Sequence, residues 1–159
     1  MAAQYLTKAH FTGMLKIDFG NYDNFDDIAT FVENKYMTKL FGVHLRETVS
    51  LESGQSYQDG DTWKEHHGTT EMLKYFFFYE FMTKVQNDIA RTDKIEEVYS
   101  YSVSGQRDRM NFMITGNWNI AVTYYNELVD YVNYLIDEGS TDYEGFDPES
   151  LEKMNVLGV

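Results

Sequence analysis

The segment from Thr70 to Ala90 constrains the fold most strongly, because its large apolar side chains cover far more than one side of a helix. One row at helical spacing comprises Leu73, Phe76, Phe77, Phe81, Val85 and Ile89, and this row is widened by Tyr75, Phe78, Tyr79 and Met82. A helix with so broad an aromatic surface has to be covered on several sides. The sequence therefore predicts a central helix that is covered by its own bundle and, beyond that, by a neighbouring subunit.

Two more segments show helical periodicity. The first begins near Phe25, with Asn24 as a candidate N-cap, and ends at Gly42, where glycine allows a left-handed stop. The second runs from about Arg107 to Asp137, and its apolar residues follow an alternating four-three spacing that is typical of packed helices. Together with the central helix, these segments predict an all-α fold, an antiparallel helical bundle.

The segment from Thr92 to Gln106 has a different period. Tyr99, Tyr101 and Val103 alternate with serine residues, and a spacing of two is typical of a strand with one apolar face. A lone strand leaves its backbone donors and acceptors without partners, so it has to pair with another segment. We therefore expect one extended β-like segment or hairpin that is used in assembly, with these three residues as candidate subunit-interface residues.

Residues 52–70 contain three glycines, Gly54, Gly60 and Gly68, and show no apolar period, which predicts a long loop. Trp63 lies in the middle of this segment. One interpretation makes Trp63 an anchor that enters a partner pocket, and therefore a fourth candidate interface residue. The other makes it a plug that folds the loop back onto the chain's own core.

The end of the last long helix divides the chain into two parts. Residues 1–139 are predicted to form the helical domain, and residues 140–159 an acidic C-terminal arm. Within the arm, Asp147 is a candidate N-cap and Pro148 occupies the first helical position, so a short helix is expected through about Asn155.

Charge and composition exclude several classes of function. The 159 residues suffice for one domain, and 26 acidic against 13 basic side chains give a net charge of -13 and a pI near 4.5. Such a chain repels nucleic-acid phosphate and anionic lipid, so sequence-specific nucleic-acid recognition and membrane association are not expected. The first residues contain no continuous apolar stretch of the kind that a secretion signal or a membrane span requires.

The sequence offers little support for catalysis. It contains no cysteine, which excludes a disulfide framework, a thiolate metal site and a cysteine nucleophile. His67 and Glu71 are four residues apart, a spacing that allows two ligands on one helix face, and a metal-dependent enzyme would use these two residues together with His66. Surface histidines are the favoured interpretation of this pattern. We therefore predict a protein that is not an enzyme and has no catalytic residue, no cofactor and no metal site.

The order of these elements resembles that of the head-to-tail connector proteins, or neck adaptors, of tailed bacteriophages. The resemblance is strongest to the ring proteins of crAss-like phages, which infect gut Bacteroidetes, and it covers most of residues 5–136. Its clearest segments are Tyr36–Gly42 and Leu73–Phe81. A third element is the apolar pattern of the last helix, formed by Tyr124, Leu128, Tyr131 and Leu135.

The resemblance implies a structural subunit that assembles with copies of itself into a ring, commonly a dodecamer, between portal and tail. Its partners would be the portal protein and adjacent neck or tail proteins, and DNA would pass through the lumen without sequence-specific contact. The protein would be made in the host cytoplasm and located in the neck of the virion. An acidic lumen suits this role, because like charge keeps the packaged genome from adhering to the wall.

A second hypothesis follows from the charge alone. A chain with a net charge of -13 is also suited to cover a basic partner, as an inhibitor or as a mimic of nucleic-acid charge. The two hypotheses differ in the forces that hold the partner: buried aromatic contacts for a connector, and salt-sensitive charge pairs for an acidic binding module.

Overall fold

The computed structural model describes residues 5–11, 25–46, 51–91 and 103–155, with the side chains of 85, 88–91 and 103–107 left aside. A single 3₁₀ turn, Lys8–His10, lies near the N-terminus. The larger elements follow in the order α1 (Phe25–Leu45), β1 (Gln55–Asp59), β2 (Thr62–His66), α2 (Gly68–Arg91) and α3 (Val103–Asp137). The three long helices confirm the helical segments that periodicity predicts. The start of α1 and the end of α3 coincide with the prediction, and the other boundaries differ by one to four residues.

The prediction of an all-α fold is wrong, because β1 and β2 form a two-stranded antiparallel sheet within the segment expected to be a loop. The fold is mixed, although mostly helical. Only Tyr57 of β1 and His66 of β2 are buried, so the alternation of apolar and polar residues is too sparse to predict strands. Gly60 has a φ of +59° at the first position of a two-residue turn, where a type II′ hairpin requires glycine.

The core lies where α2 packs against both α1 and α3. Tyr36 of α1 stacks on Phe76 of α2 with 3.6 Å between the ring centroids, and the Tyr36 hydroxyl donates to the Glu80 carboxylate at 2.7 Å. The fully buried residues on the three helices include Val32, Leu40, Met72, Leu73, Phe77, Ala121, Tyr125, Leu128 and Val132. This packing covers the aromatic surface of α2 and confirms its place as the central helix.

Two glycines end helical segments where the sequence predicts an end. Gly42 has φ +71° and ψ 178°, a conformation that side chains disfavour, and it kinks α1 before the last residues of that helix. Gly139, with φ +94°, follows α3, and its N–H donates to the carbonyl of Ile136 at 2.9 Å. The N–H of Ser140 reaches back to Leu135 at 2.9 Å, so the last carbonyls of α3 are satisfied.

The extended segment predicted over residues 92–106 is only partly within the described residues. Val103 is the first residue of α3, so the strand prediction is wrong for Val103 and the three residues after it. Helical continuation there lets these backbone groups join the hydrogen-bond ladder of a long helix instead of requiring a partner strand. Tyr99 and Tyr101 lie outside the described residues.

The short helix expected in the C-terminal arm is absent from the described part of the chain, because residues 146–155 form neither a helix nor a strand. Several of their backbone groups bind the helical domain. The N–H of Glu149 donates to the Lys39 carbonyl at 2.8 Å. The Asn119 side-chain amide donates to the Met154 carbonyl at 2.9 Å and accepts from the Met154 N–H at 2.7 Å.

Candidate interaction surface

The hairpin of β1 and β2 packs one face against the C-terminal half of α3. Tyr57 pairs with Lys64, and His66 pairs with Gln55. Paired residues in an antiparallel ladder lie on the same face and every second residue of a strand shares that face, which places Tyr57 and His66 together on the inner face. The Tyr57 ring lies 4.8 Å from the Tyr131 ring and 4.9 Å from that of Tyr134, measured between centroids. His66 stacks on Tyr131 at 4.2 Å, so α3 supports the sheet with a row of aromatic rings.

The base of the hairpin is held close to the start of α2 by backbone contacts. A Cβ added at Gly54 would lie 2.8 Å from the carbonyl oxygen of His66. One added at Gly68, where φ is +85°, would lie 2.5 Å from the carbonyl oxygen of Glu52. The N–H of Thr69 donates to the Leu51 carbonyl at 2.8 Å. These close backbone contacts fix the base of the hairpin against the start of α2.

The outer face of the hairpin, defined by Ser56, Gln58, Trp63 and Glu65, points away from α3. Trp63 is 71% exposed on this face. The interpretation of Trp63 as a plug in the chain's own core is therefore wrong. Because an exposed indole offers a large apolar area, the role of Trp63 as a partner anchor stays a prediction that this geometry suits.

His66 and His67 have different surroundings. His66 is buried, and neither of its ring nitrogens has a hydrogen-bond partner in the described part of the chain. Burial, and to a smaller extent the neighbouring His67, lower the pKa of His66. His67 stacks on Tyr124 at 4.0 Å between centroids, and its Nδ1 lies 2.7 Å from Oε2 of Glu127.

The structure does not assemble the metal ligands considered from the sequence. Oε1 of Glu71 accepts from Lys74 at 2.7 Å, while His67 pairs with Glu127. Among the described residues, no group of three or more histidine, aspartate or glutamate side chains is placed to hold a metal ion. An open depression of about 280 Å³ lies beside Gly54, Ser56 and the two histidines.

A second exposed apolar surface lies on the N-terminal half of α3. It comprises Phe112, Met113 and Ile120, which are 66%, 40% and 37% exposed. Gly116 lies among them, and a Cβ added there would meet no atom within 4 Å in the described chain. Sequence reasoning missed this surface, although residues 110–126 carry a signal for it: they contain no charged side chain in a chain that is otherwise rich in charge.

The two candidate interface residues within the described part of the chain lie on different elements. Trp63 lies on the hairpin and Val103 at the start of α3, while Tyr99 and Tyr101 fall outside the described residues.

None of the described helices is both long enough and apolar enough to cross a membrane. No protein family, curated protein or solved structure matches this chain. Two exposed surfaces, the outer face of the hairpin and the N-terminal half of α3, are the features of the described chain that are suited to binding a partner.

Proposed function

We propose that this protein is a non-enzymatic structural subunit of a bacteriophage neck, which assembles into a connector ring between portal and tail. The observation that carries the proposal is the hairpin, which is fixed to the domain by its inner face and base and presents Trp63 on its outer face. An indole that is 71% exposed is unfavourable in water and becomes favourable when a partner covers it.

The charge of the chain supports the same proposal. A ring through which DNA passes has to avoid binding the phosphate backbone, and a subunit with a net charge of -13 repels it. Subunits of like charge also repel one another, so their contacts have to be apolar or locally neutral. The exposed apolar side chains of the hairpin and α3 meet that requirement.

The proposal is tested by locating the chain in purified virions. Quantitative mass spectrometry should detect many copies per particle, and electron microscopy should place them around the channel next to the portal. The variant Trp63→Ser should be incorporated less than the wild type, whereas Phe31→Ser, which removes an exposed aromatic ring from α1, serves as the matched control. Absence of the chain from particles contradicts the proposal.

The acidic binding module remains the second candidate, because the excess of 26 acidic over 13 basic side chains also suits a basic partner. Salt distinguishes the two. Charge pairing predicts an affinity that falls steeply as ionic strength rises, whereas an assembly that buries aromatic rings should persist. A complex with host or phage protein that dissociates at about 0.5 M salt therefore favours the binding module.

A further inference from the structure

One continuous row of side chains runs along α3 and links the two surfaces described above. We name this row the α3 stripe, and its members are Met113, Gly116, Ile120, Tyr124, Glu127, Tyr131 and Tyr134. Spacings of three and four place them on one side of the helix. The four C-terminal members all contact the hairpin or the residue that follows it. The N-terminal members continue the same side beyond the hairpin.

The two halves of the α3 stripe differ in what covers them. Tyr131 lies beneath the inner face of the hairpin, whereas Met113 and Ile120 are exposed, as is Phe112 beside them. The open space above Gly116 makes a notch between these apolar side chains. A flat aromatic ring is the kind of group that such a notch accommodates, because the missing side chain lets a ring approach the helix backbone.

Charge identifies the kind of partner that this surface fits. A basic partner would be expected to meet acidic side chains, yet residues 110–126 carry no charge. In a chain with a net charge of -13, a neutral surface is where another copy of the same chain approaches with the least repulsion. That copy also displays a group of matching chemistry, the exposed Trp63.

We propose that the outer face of the hairpin of one copy docks on the N-terminal half of the α3 stripe of the next copy, with Trp63 in the notch at Gly116. This inference rests on the proposed function and specifies how its subunits join. The contact is heterologous, because the donor and acceptor surfaces are different parts of the chain. Repetition of a heterologous contact makes a closed ring when the rotation closes, and an open filament when it does not.

The expected strength of one contact is modest. A narrow hairpin face on part of one helix buries less than the roughly 1,200 Å² of stable, specific interfaces. A pair of copies should therefore dissociate readily, whereas a closed ring gains because each subunit is held by two contacts. Assembly should consequently depend strongly on concentration and should proceed to large species with few dimers.

The experiment uses two variants of the full chain that disable opposite sides of the contact. Trp63→Ser removes the donor ring and keeps the acceptor, while Gly116→Lys fills the notch and keeps the donor. Neither change should damage the fold, because Trp63 is exposed and lysine is a better helix former than glycine at an open helical position. Sedimentation velocity and native mass spectrometry measure assembly up to about 1 mM protein, which covers contacts of weak affinity.

We expect the wild type to form large species, each variant alone to remain monomeric, and their mixture to form a one-to-one dimer through the single intact contact. Phe31→Ser should assemble as the wild type does. Three results contradict the inference: a wild type that stays monomeric, a Trp63→Ser variant that still assembles, or a mixture that yields no dimer.

These outcomes are separate from the test of the proposed function. Assembly that survives Trp63→Ser, in a chain found in virions, leaves the connector role intact and places the subunit contact elsewhere. A dimer in the mixture, with the chain missing from particles, supports the contact and contradicts the connector role.

Discussion

The two halves of α3 both carry large apolar or aromatic side chains on their surface but have opposite environments. In the C-terminal half, Tyr131 and Tyr134 lie against Tyr57 of the hairpin. In the N-terminal half, Phe112 and Ile120 are exposed. The difference shows that apolar periodicity on a long helix identifies a surface that needs covering, but not whether the cover comes from the same chain or from a partner.

The comparison also separates stability from assembly. Side chains under the hairpin contribute to the unfolding free energy, because they are removed from water in the monomer. Exposed side chains on the other half contribute little until a partner covers them. Substitutions in the two halves should therefore differ in how much they change the stability of the monomer.

The largest loss of stability is expected for Tyr57→Ala, at the hairpin residue that covers the C-terminal half of α3. Removal of the buried ring should lower the unfolding free energy of the hairpin region by about 3 kcal/mol, because its contacts with two tyrosines are lost and a cavity remains. Amide hydrogen exchange of residues 55–66 should accelerate accordingly. Tyr57→Phe keeps the ring and is the control. Unchanged protection in Tyr57→Ala would mean that the hairpin does not depend on α3.

A smaller effect is expected from acidification, through His66. Burial lowers the pKa of His66 in the folded chain, so the unfolded chain binds this proton at a higher pH than the folded chain does. Stability should therefore be independent of His66 well above pH 6.5 and should fall as pH drops below about 6.5, the ordinary histidine value.

Chemical denaturation between about pH 7 and 5 measures this contribution in the wild type and in His66→Phe, which keeps an aromatic ring on Tyr131. The variant should lose less stability over that interval. His44→Gln, at an exposed position, is the control and should behave as the wild type. Parallel curves for the wild type and His66→Phe would contradict the prediction.

The smallest effect is expected for Phe112→Ser on the exposed half. The unfolding free energy of the monomer should change by no more than about 0.5 kcal/mol, because the side chain is 66% exposed. Ile114→Ala, two residues away and buried, should cost about 2 kcal/mol in the same thermal denaturation experiment. A large loss in Phe112→Ser would show that the monomer already covers this surface.

Local signals in the sequence predicted much of the fold. Gly42 and Gly139 mark ends of helical segments because only glycine adopts their backbone angles without strain. The hairpin was missed because its strands carry few apolar residues, so neither its period nor Trp63 indicates a sheet. The alternation with serine predicts a strand at Val103. This prediction is wrong because alternation over a few residues does not compete with the hydrogen bonds of a long helix.

The candidate interaction surface was predicted only in part. Trp63 was identified as a candidate anchor, but the sequence left open whether it entered the core. Phe112 and Ile120 lie outside the four-three apolar pattern of the last helix, so the sequence analysis does not identify the surface that they form. Its distinguishing signal, the uncharged run of residues 110–126, becomes informative only when exposure is known.

The three helices and the glycine ends of α1 and α3 are readable from the chain because they depend on residues that are near one another, and the acidic charge follows from composition. The hairpin of residues 55–66, the burial of His66 and the exposure of the N-terminal members of the α3 stripe depend instead on contacts between distant segments. A two-stranded hairpin is marginal alone and gains its stability from the helix on which it packs. The point along α3 at which that hairpin ends determines which apolar side chains are covered in the monomer and which are exposed.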